Sequence, residues 1–224
     1  MKKGFAILVL GCLTALFAGA APETSMTYEN IDWSIGYGFH LTDARKNLPR
    51  VLLVGDSICN GYWGGVARRL DGKVNVSYWV SSYCCTTPAY SKLLDFYLSV
   101  TKYDVIHLNN GLHSFTSDPA AWKASLQRTF QLIRAKQPQA KIVWCTSTPL
   151  KDPAKTAFVK KLNAAAADVI KDPALGVVAT DDLFSLLDPL DRNANWSDVY
   201  HHKPAVREKE AEQVAASVLK TLKR

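Results

Sequence analysis

Short runs of apolar residues alternate along this chain with longer stretches in which apolar and polar positions follow a helical period. The apolar runs predict strands at about 50–55, 74–80, 104–109, 141–147 and 176–181. The stretches after them predict helices at about 61–70, 88–101, 119–136, 154–171 and 204–222, most of them with a proline close to the start. Continuous apolar strands separated by helices are typical of a parallel sheet covered on both faces. The sequence therefore predicts one α/β domain over residues 49–224.

The N-terminus carries a different pattern. Lys2 and Lys3 precede an apolar stretch from Phe5 to Phe17, and small residues follow at 18–20. This order predicts a secretory signal peptide over residues 1–20, because the apolar stretch is shorter than the ~20 residues that a membrane span requires. We expect a secreted or periplasmic protein without a stable membrane span; a lipoprotein anchor at Cys12 is a minor alternative. Residues 21–48 are rich in aromatic side chains without a clear period, which predicts an irregular lead-in.

Two short motifs contain residues that could perform chemistry. Gly55-Asp56-Ser57 directly follows the apolar run 51–54, and by itself it also fits a turn at the end of a strand. The second motif, Asp198-Val199-Tyr200-His201, comes just before the last predicted helix. A serine needs a base such as imidazole, oriented by a third group, to act as a nucleophile. Asp and His three residues apart in a loop can supply the base and its orienting group.

Another Asp-x-x-His sequence, Asp104 to His107, lies inside a predicted strand. Residues three apart in a strand point to opposite faces of the sheet, so these two side chains cannot act together. We interpret Asp104 as a residue at the start of a strand and His107 as a packed histidine.

The early Gly-Asp-Ser and the late Asp-x-x-His together resemble the SGNH (GDSL-type) hydrolase superfamily, over roughly residues 49–222. The resemblance implies a serine esterase in which Ser57 is the nucleophile, His201 the base and Asp198 its orienting group. It also implies a three-layer, flavodoxin-like fold with a five-stranded parallel sheet and helices on both faces. The G-x-S-x-G elbow of α/β-hydrolases, which share the order Ser, Asp, His, is absent here.

Two loops depart from the pattern of the superfamily, which usually supplies oxyanion donors from a glycine after the second strand and from Gly-x-Asn-Asp after the third. The second loop has no glycine, so a backbone N–H of Cys84 or Cys85 would have to serve. The third loop, Asn109 to His113, resembles a subset with Asn-x-Gly-Leu-His. If Gly111 aligns with the family glycine, His113 takes the place of the usual Asn, and an imidazole N–H can donate to an oxyanion. Asn110 is the alternative side-chain donor.

Cysteines and charge limit the remaining possibilities. Four cysteines remain after the signal peptide, and export would permit disulfides: Cys59 is expected to bridge to Cys84 or Cys85, and Cys145 to be a buried thiol. No C-x-x-C pair and no ligand-spaced histidines are present, so neither a metal nor another cofactor is expected. Removing Lys2 and Lys3 lowers the formal net charge from +7 to +5. Because the basic residues are scattered and no nucleic-acid motif is present, nucleic acid is not an expected partner.

The sequence thus predicts a secreted serine esterase that removes a small acyl group, most simply acetyl, from a carbohydrate. Aromatic residues in predicted loops could stack on sugar rings, or could only pack; they are Trp33, Tyr37, Tyr62, Trp63, Tyr83 and Trp196. Two alternatives stay open: an O-acyltransferase that uses the same triad, and a non-catalytic carbohydrate-binding protein on a hydrolase scaffold. The natural substrate and the oligomeric state are left undetermined by the sequence.

Overall fold

The computed structural model describes residues 32–38 and 45–224. The predicted signal peptide, residues 1–20, and the alternative lipid site at Cys12 lie outside the described residues, as does most of the predicted lead-in. None of the helices in the described part of the chain is long and apolar enough to cross a membrane.

Six strands form one sheet in the order β1-β3-β2-β4-β5-β6. They are β1 (Ser34–Tyr37), β2 (Arg50–Gly55), β3 (Asn75–Ser81), β4 (Val105–Leu108), β5 (Lys141–Cys145) and β6 (Val177–Asp181). The last five are parallel, and among themselves they follow the flavodoxin-like order 2-1-3-4-5. The prediction of five parallel strands and of their order is confirmed. The chain therefore reverses its direction of winding at β2, which is where open sheets of this class place their ligands.

The sixth strand, β1, corrects the prediction that residues 21–48 are irregular throughout. It pairs antiparallel with the edge strand β3, with Ser34 opposite Ser81 and Tyr37 opposite Tyr78. All four of its residues are exposed. Main-chain hydrogen bonds to the open edge of the sheet hold this strand. Because none of its side chains is buried, its sequence shows no alternation of apolar and polar residues from which a strand could be predicted.

The described residues contain seven helices: α1 (Ser57–Leu70), α2 (Pro88–Val100), α3 (Pro119–Lys136), α4 (Pro153–Val169), α5 (Leu183–Leu187), α6 (Arg192–Asn195) and α7 (Pro204–Leu222). Two 3₁₀ turns lie at Leu112–Ser114 and Pro173–Leu175. Four helices begin at a proline, as predicted. Helix α1 begins four residues earlier than predicted, because the Asp56 side chain accepts a hydrogen bond from the Ile58 N–H and caps it. The short α5 and α6 were not predicted.

The core consists of two apolar layers, one on each face of the sheet. Helices α1 and α7 pack on one face against residues such as Val51 and Leu53 of β2. Helices α2, α3 and α4 pack on the other face, where Leu52 and Val54 point. Alternate residues of one strand thus serve opposite layers, and the buried sheet leaves its loops at the carboxyl ends of the strands as the place for polar chemistry.

Candidate active site

Ser57 is the first residue of α1, and only Asp56 separates it from the end of the central strand β2. The turn between them is tight: a Cβ on Gly55 would come within 2.5 Å of the Cys59 Cβ. Asp56 is almost fully buried and caps the helix. Ser57 is therefore half-buried at the rim of the sheet, at the positive end of a 14-residue helix whose first N–H groups have no partner within the helix.

Asp198 and His201 contact each other in the loop between α6 and α7. The Asp198 Oδ2 lies 2.8 Å from the His201 Nδ1. The other carboxylate oxygen accepts the backbone N–H groups of Tyr200 and His201, each at 2.8 Å. These bonds fix the carboxylate against the ring and leave the Nε2 of His201 for a second partner. Both side chains remain open to solvent, with exposed fractions of 53% and 37%.

The carboxyl group of Asp198 is ionised at any ordinary pH. Its partial burial alone would raise the pKa, but the hydrogen bonds from the His201 backbone, the His201 ring and the Tyr200 backbone outweigh that effect and lower the pKa to about 2. A charged carboxylate on Nδ1 holds the imidazole in the tautomer with a free Nε2, which is the arrangement a general base requires.

Ser57 and His201 line the same small cavity of about 10 Å³ between the start of α1 and the loop before α7. The other residues around it are Ile58, Gly61, His202, Arg207 and Glu210. The structure thus brings all three predicted triad residues to one place, with the serine and the histidine facing a common gap. The roles of these residues in catalysis stay a prediction.

His202 and Glu210 are functional candidates that the sequence reasoning did not select. His202 Nδ1 lies 2.9 Å from Glu210 Oε1, and neither residue is more than 1% exposed. Burial raises the pKa of Glu210, and His202 and Arg207 only partly offset this. The signal in the sequence was an acid inside an apolar row: Glu210 stands four residues after Val206 and four before Val214 on the buried face of α7.

The loops after β3 and β4 are joined by the side chain of Asn110. Its Oδ1 accepts the Cys85 N–H at 2.8 Å, and its Nδ2 donates to the Tyr83 carbonyl oxygen at 2.9 Å. The N–H of Cys85 is therefore bound within the loops, and so is one N–H of Asn110. Both residues stay predicted oxyanion donors, but these bonds weigh against that role.

Neighbouring residues extend these links across the edge of the sheet. The Asn109 Nδ2 donates to the Cys145 carbonyl oxygen at 2.8 Å and to the Ser147 Oγ at 3.1 Å. A Cβ on Gly111 would lie 1.9 Å from the Ser147 Oγ, so a glycine is required there. Gly111 therefore sets how closely the loop after β4 can approach the loop after β5.

His113 lies in the 3₁₀ turn that follows Gly111 and is partly buried. Its ring meets the ring of Trp33 edge to face, with centroids 6.4 Å apart. Trp33 comes just before β1, so the strand that the sequence did not predict also brings an aromatic side chain against His113. The donor role of His113 stays a prediction.

The expected disulfide is wrong: the four cysteines within residues 45–224 are all free and buried. Cys59 follows Ser57 into α1 and packs in the layer with α7, whereas Cys84 and Cys85 pack in the layer on the opposite face. The sheet therefore separates the predicted partners. Cys145 is a buried thiol, as predicted. Hydrogen bonding from the Cys85 thiol, reinforced by Ser117 and Thr86, lowers the pKa of Cys84 to about 6 despite its burial.

Several aromatic residues proposed to stack on sugars are instead packing residues. Tyr62 and Trp196 are almost fully buried, and Trp63 stacks on Tyr78 with ring centroids 4.1 Å apart. The structure exposes a different ring beside the site. Tyr200, inside the Asp-x-x-His motif, is 37% exposed, and its ring lies 6.5 Å from the rings of both His201 and Phe115.

His107 is a packed histidine, as predicted. It is fully buried on β4, and its Nε2 lies 2.9 Å from the Oδ2 of Asp181. Asp181 is on β6, two strands away in the sheet. Asp104 accepts the Arg50 N–H with its side chain, at the start of β4. Within the described residues no group of three or more His, Cys, Asp or Glu side chains is placed to hold a metal ion.

Comparison with known proteins gives a match in structure alone. No protein-family model matches the chain, and no curated protein matches its sequence. A carbohydrate esterase of family 3 from Talaromyces cellulolyticus superposes with a TM-score of 0.64 at 16% identity, over 79% of this chain and 99% of that one. A variant of an acetyl esterase, crystallised with an acetate ion, gives 0.63 at 14%, over 79% and 99%. A candidate SGNH hydrolase from Slackia heliotrinireducens gives 0.57 at 18%, over 77% and 100%.

The chain has the fold of the SGNH hydrolases. At these identities the likeness concerns the path of the backbone, and the roles of individual residues rest on the geometry described above. The strand order, the Gly-Asp-Ser turn after the central strand and the late Asp-x-x-His loop all agree with the resemblance found in the sequence.

Proposed function

We propose that the protein is a secreted serine esterase that removes small acyl groups, most simply acetyl, from a carbohydrate. The observation that carries the proposal is the common cavity of Ser57 and His201, with Asp198 bound to the far side of the imidazole. Such a serine, imidazole and carboxylate arrangement is what nucleophilic acyl transfer requires.

In the proposed reaction the Ser57 Oγ attacks the carbonyl carbon of the ester. The Nε2 of His201 takes the hydroxyl proton, since its Nδ1 is bound to Asp198. The negative charge that forms on the carbonyl oxygen is stabilised by the Ser57 N–H at the start of α1, with His113 as a further donor. His201 then gives its proton to the departing sugar oxygen, and a water molecule, activated by the same imidazole, releases the acid from Ser57.

A small acyl group is proposed because the cavity that Ser57 shares with His201 measures about 10 Å³, close to the space that one water molecule occupies. The predicted donor His113 does not line this cavity, so an acyl carbonyl that reaches His113 would extend outside it. A long acyl chain would need an apolar channel next to the nucleophile. The exposure of Asp198 and His201 leaves the acyl-enzyme open to water, as hydrolysis requires.

A carbohydrate as the remainder of the substrate is supported by two observations. Structures with the same fold include a carbohydrate esterase and an acetyl esterase. The exposed ring of Tyr200, beside His201, offers a flat apolar surface of the kind that sugar rings stack on. The Lys155 Nζ lies over one face of that ring, 5.5 Å from its centre, so a sugar would have to stack on the other face.

The direct test is hydrolysis of p-nitrophenyl acetate, with and without a serine-directed fluorophosphonate, in the wild type and in Ser57→Ala. We expect turnover that the reagent abolishes, labelling at Ser57, and a folded but inactive variant. Turnover in Ser57→Ala above a tenth of the wild-type rate would remove Ser57 from the role of nucleophile. Acetate release from acetylated polysaccharides, compared with acetyl transfer to added sugar, separates the esterase from the acyltransferase. N-terminal sequencing of the exported protein tests the signal peptide.

A further inference from the structure

The buried pair of His202 and Glu210 lies where an apolar contact would be expected. Every fourth residue of α7 from Val206 to Val218 is buried, and Glu210 is the one charged residue in that row. Removing two ionisable groups from water costs several kcal/mol for each ion, and a well-packed apolar pair in the same place is often at least as stable. Stability alone therefore gives little reason for an acid and an imidazole at this position.

The pair is also not optimised as a hydrogen bond. His202 Nδ1 and Glu210 Oε1 are 2.9 Å apart, but among the described residues neither ring nitrogen and neither carboxylate oxygen has a well-directed partner. Its location is more informative than its strength. Both residues line the cavity that holds Ser57 and His201, and His202 is joined to His201 by a peptide bond.

His202 is held through its ring edge and its main chain. The edge of its ring meets Trp196, with centroids 4.7 Å apart at 82°, and the main chains of the two residues form a bridge. Its carbonyl oxygen accepts the Arg207 Nε at 2.7 Å. Within the loop, Ser197 donates through its N–H and its Oγ to the His201 carbonyl oxygen. On its outer side the loop is held by the Lys151 N–H, which donates to the Val199 carbonyl oxygen at 3.0 Å. On its inner side His202, through Glu210 and Arg207, links the loop to α7, which packs along α1.

We propose that His202 and Glu210 are a positioning pair, which holds the imidazole of His201 at the correct distance from Ser57. Glu210, on α7, lines the same cavity as Ser57, and by contacting the ring of His202 it sets the position of the backbone that carries His201. The pair acts on His201 and not on the substrate. This inference rests on the proposed esterase function.

The central test is the double variant His202→Leu with Glu210→Leu, which removes both groups without leaving either one buried alone. We expect its free energy of unfolding to equal or exceed that of the wild type. Its kcat on p-nitrophenyl acetate, per folded molecule, should fall by about 10²-fold, the usual cost of misplacing a catalytic group by ~1 Å. KM should change by less than about threefold, because substrate contacts are untouched. His202→Asn keeps a donor near the position of Nδ1 and should recover part of the loss.

The chain offers a matched control in His107 and Asp181, a second buried pair with the same 2.9 Å separation that does not line the Ser57 cavity. His107→Leu with Asp181→Leu should lower stability, because Gln213 also loses the Asp181 oxygen that it donates to. Its kcat per folded molecule should stay at the wild-type value. A double variant at 202 and 210 with wild-type kcat would show that the pair is only structural and would overturn the proposal.

A second measurement keeps the inference separate from the proposed function. In the wild type the Nδ1 proton of His201, bound to Asp198, should give a resolved downfield proton resonance. Loss or displacement of this resonance in the double variant, but not in the control variant, supports a positioning role even if the wild type hydrolyses no ester. An unchanged resonance overturns it. Absence of both turnover and fluorophosphonate labelling in the wild type would refute only the esterase.

Discussion

Replacing Asn110 by alanine separates two roles that the sequence left open. In the structure the side chain of Asn110 is only 2% exposed and joins two loops, accepting from the Cys85 N–H and donating to the Tyr83 carbonyl oxygen. Asn110→Ala would leave both main-chain groups without a partner in a place that water barely reaches. If Asn110 serves to hold the two loops together, the variant should lose stability. If Asn110 is an oxyanion donor, the variant should lose turnover.

The size of the effect follows from the two groups. An unsatisfied buried donor or acceptor costs about 1–3 kcal/mol, so Asn110→Ala should lower the free energy of unfolding by roughly 2–6 kcal/mol. For a domain of this size that corresponds to a decrease in Tm of roughly 4–24 °C. His113→Ala should behave in the opposite way. His113 is only partly buried, so the variant should lose little stability, but kcat should fall about 10²–10³-fold, as for the loss of one oxyanion donor.

Urea unfolding followed by circular dichroism gives the stability of each variant, and p-nitrophenyl acetate turnover per folded molecule gives kcat. Asn110→Ala should keep a kcat within about tenfold of the wild type, with His113→Asn recovering part of the activity lost in His113→Ala. The reasoning is refuted if Asn110→Ala unfolds within 0.5 kcal/mol of the wild type, a difference typical of surface substitutions, while its kcat falls as far as expected for His113→Ala. Asn110 would then be the donor, and its loop contacts would be incidental.

Three further predictions concern the base, the substrate surface and the thiols. His201→Ala should lower kcat on the order of a thousandfold or more, with unchanged circular dichroism, as loss of a general base does in triads; a smaller loss than in His202→Asn would move the base to His202. Tyr200→Ala should lower kcat/KM on acetylated polysaccharide roughly 3- to 10-fold more than on p-nitrophenyl acetate; equal effects on both substrates would contradict sugar stacking. Among the four buried thiols of the described residues, Cys84 should react with iodoacetamide at the lowest pH, with a rate that rises to a plateau above about pH 6, since its pKa is lowered to that value; peptide mapping that finds Cys59, Cys85 or Cys145 modified at a lower pH than Cys84 would contradict it.

The sequence predicted the regular part of this fold well, because apolar periodicity and prolines are local signals. The five parallel strands and the helices beginning at Pro88, Pro119, Pro153 and Pro204 appear within a few residues of their expected bounds. The strand β1 could not be predicted, since only an open sheet edge, formed by residues distant along the chain, makes it a strand. The disulfide prediction failed for a related reason: which face of the sheet a cysteine joins depends on packing.

The candidate site divides in the same way. The sequence was enough to select Ser57, Asp198 and His201, because their spacing and their positions next to predicted strands and helices can be seen in the sequence itself. In the structure Ser57 and His201 line one cavity, and His201 contacts Asp198. The partners of the donor loops were not visible. That Asn110 binds Cys85, and that Glu210 meets His202, depend on how loops 25 residues apart and a helix come together. For the contact between Glu210 and His202, the one indication in the sequence was an acidic residue among the apolar residues on the buried face of α7.

The loops at the carboxyl edge of the sheet are joined largely by side-chain amides. Asn110 joins the loops after β3 and β4, Asn109 joins those after β4 and β5, and Asn163 of α4 both accepts from and donates to the backbone of Ser147. Amides, unlike carboxylates and imidazoles, neither gain nor lose a proton in the range where proteins stay folded. The framework of these three loops therefore does not change its protonation with pH. The loop that carries His201 differs, because Asp198 and the pair of His202 and Glu210, all ionisable, hold it. Changes in pH should therefore act on the geometry of the His201 loop and leave the loops joined by amides unchanged.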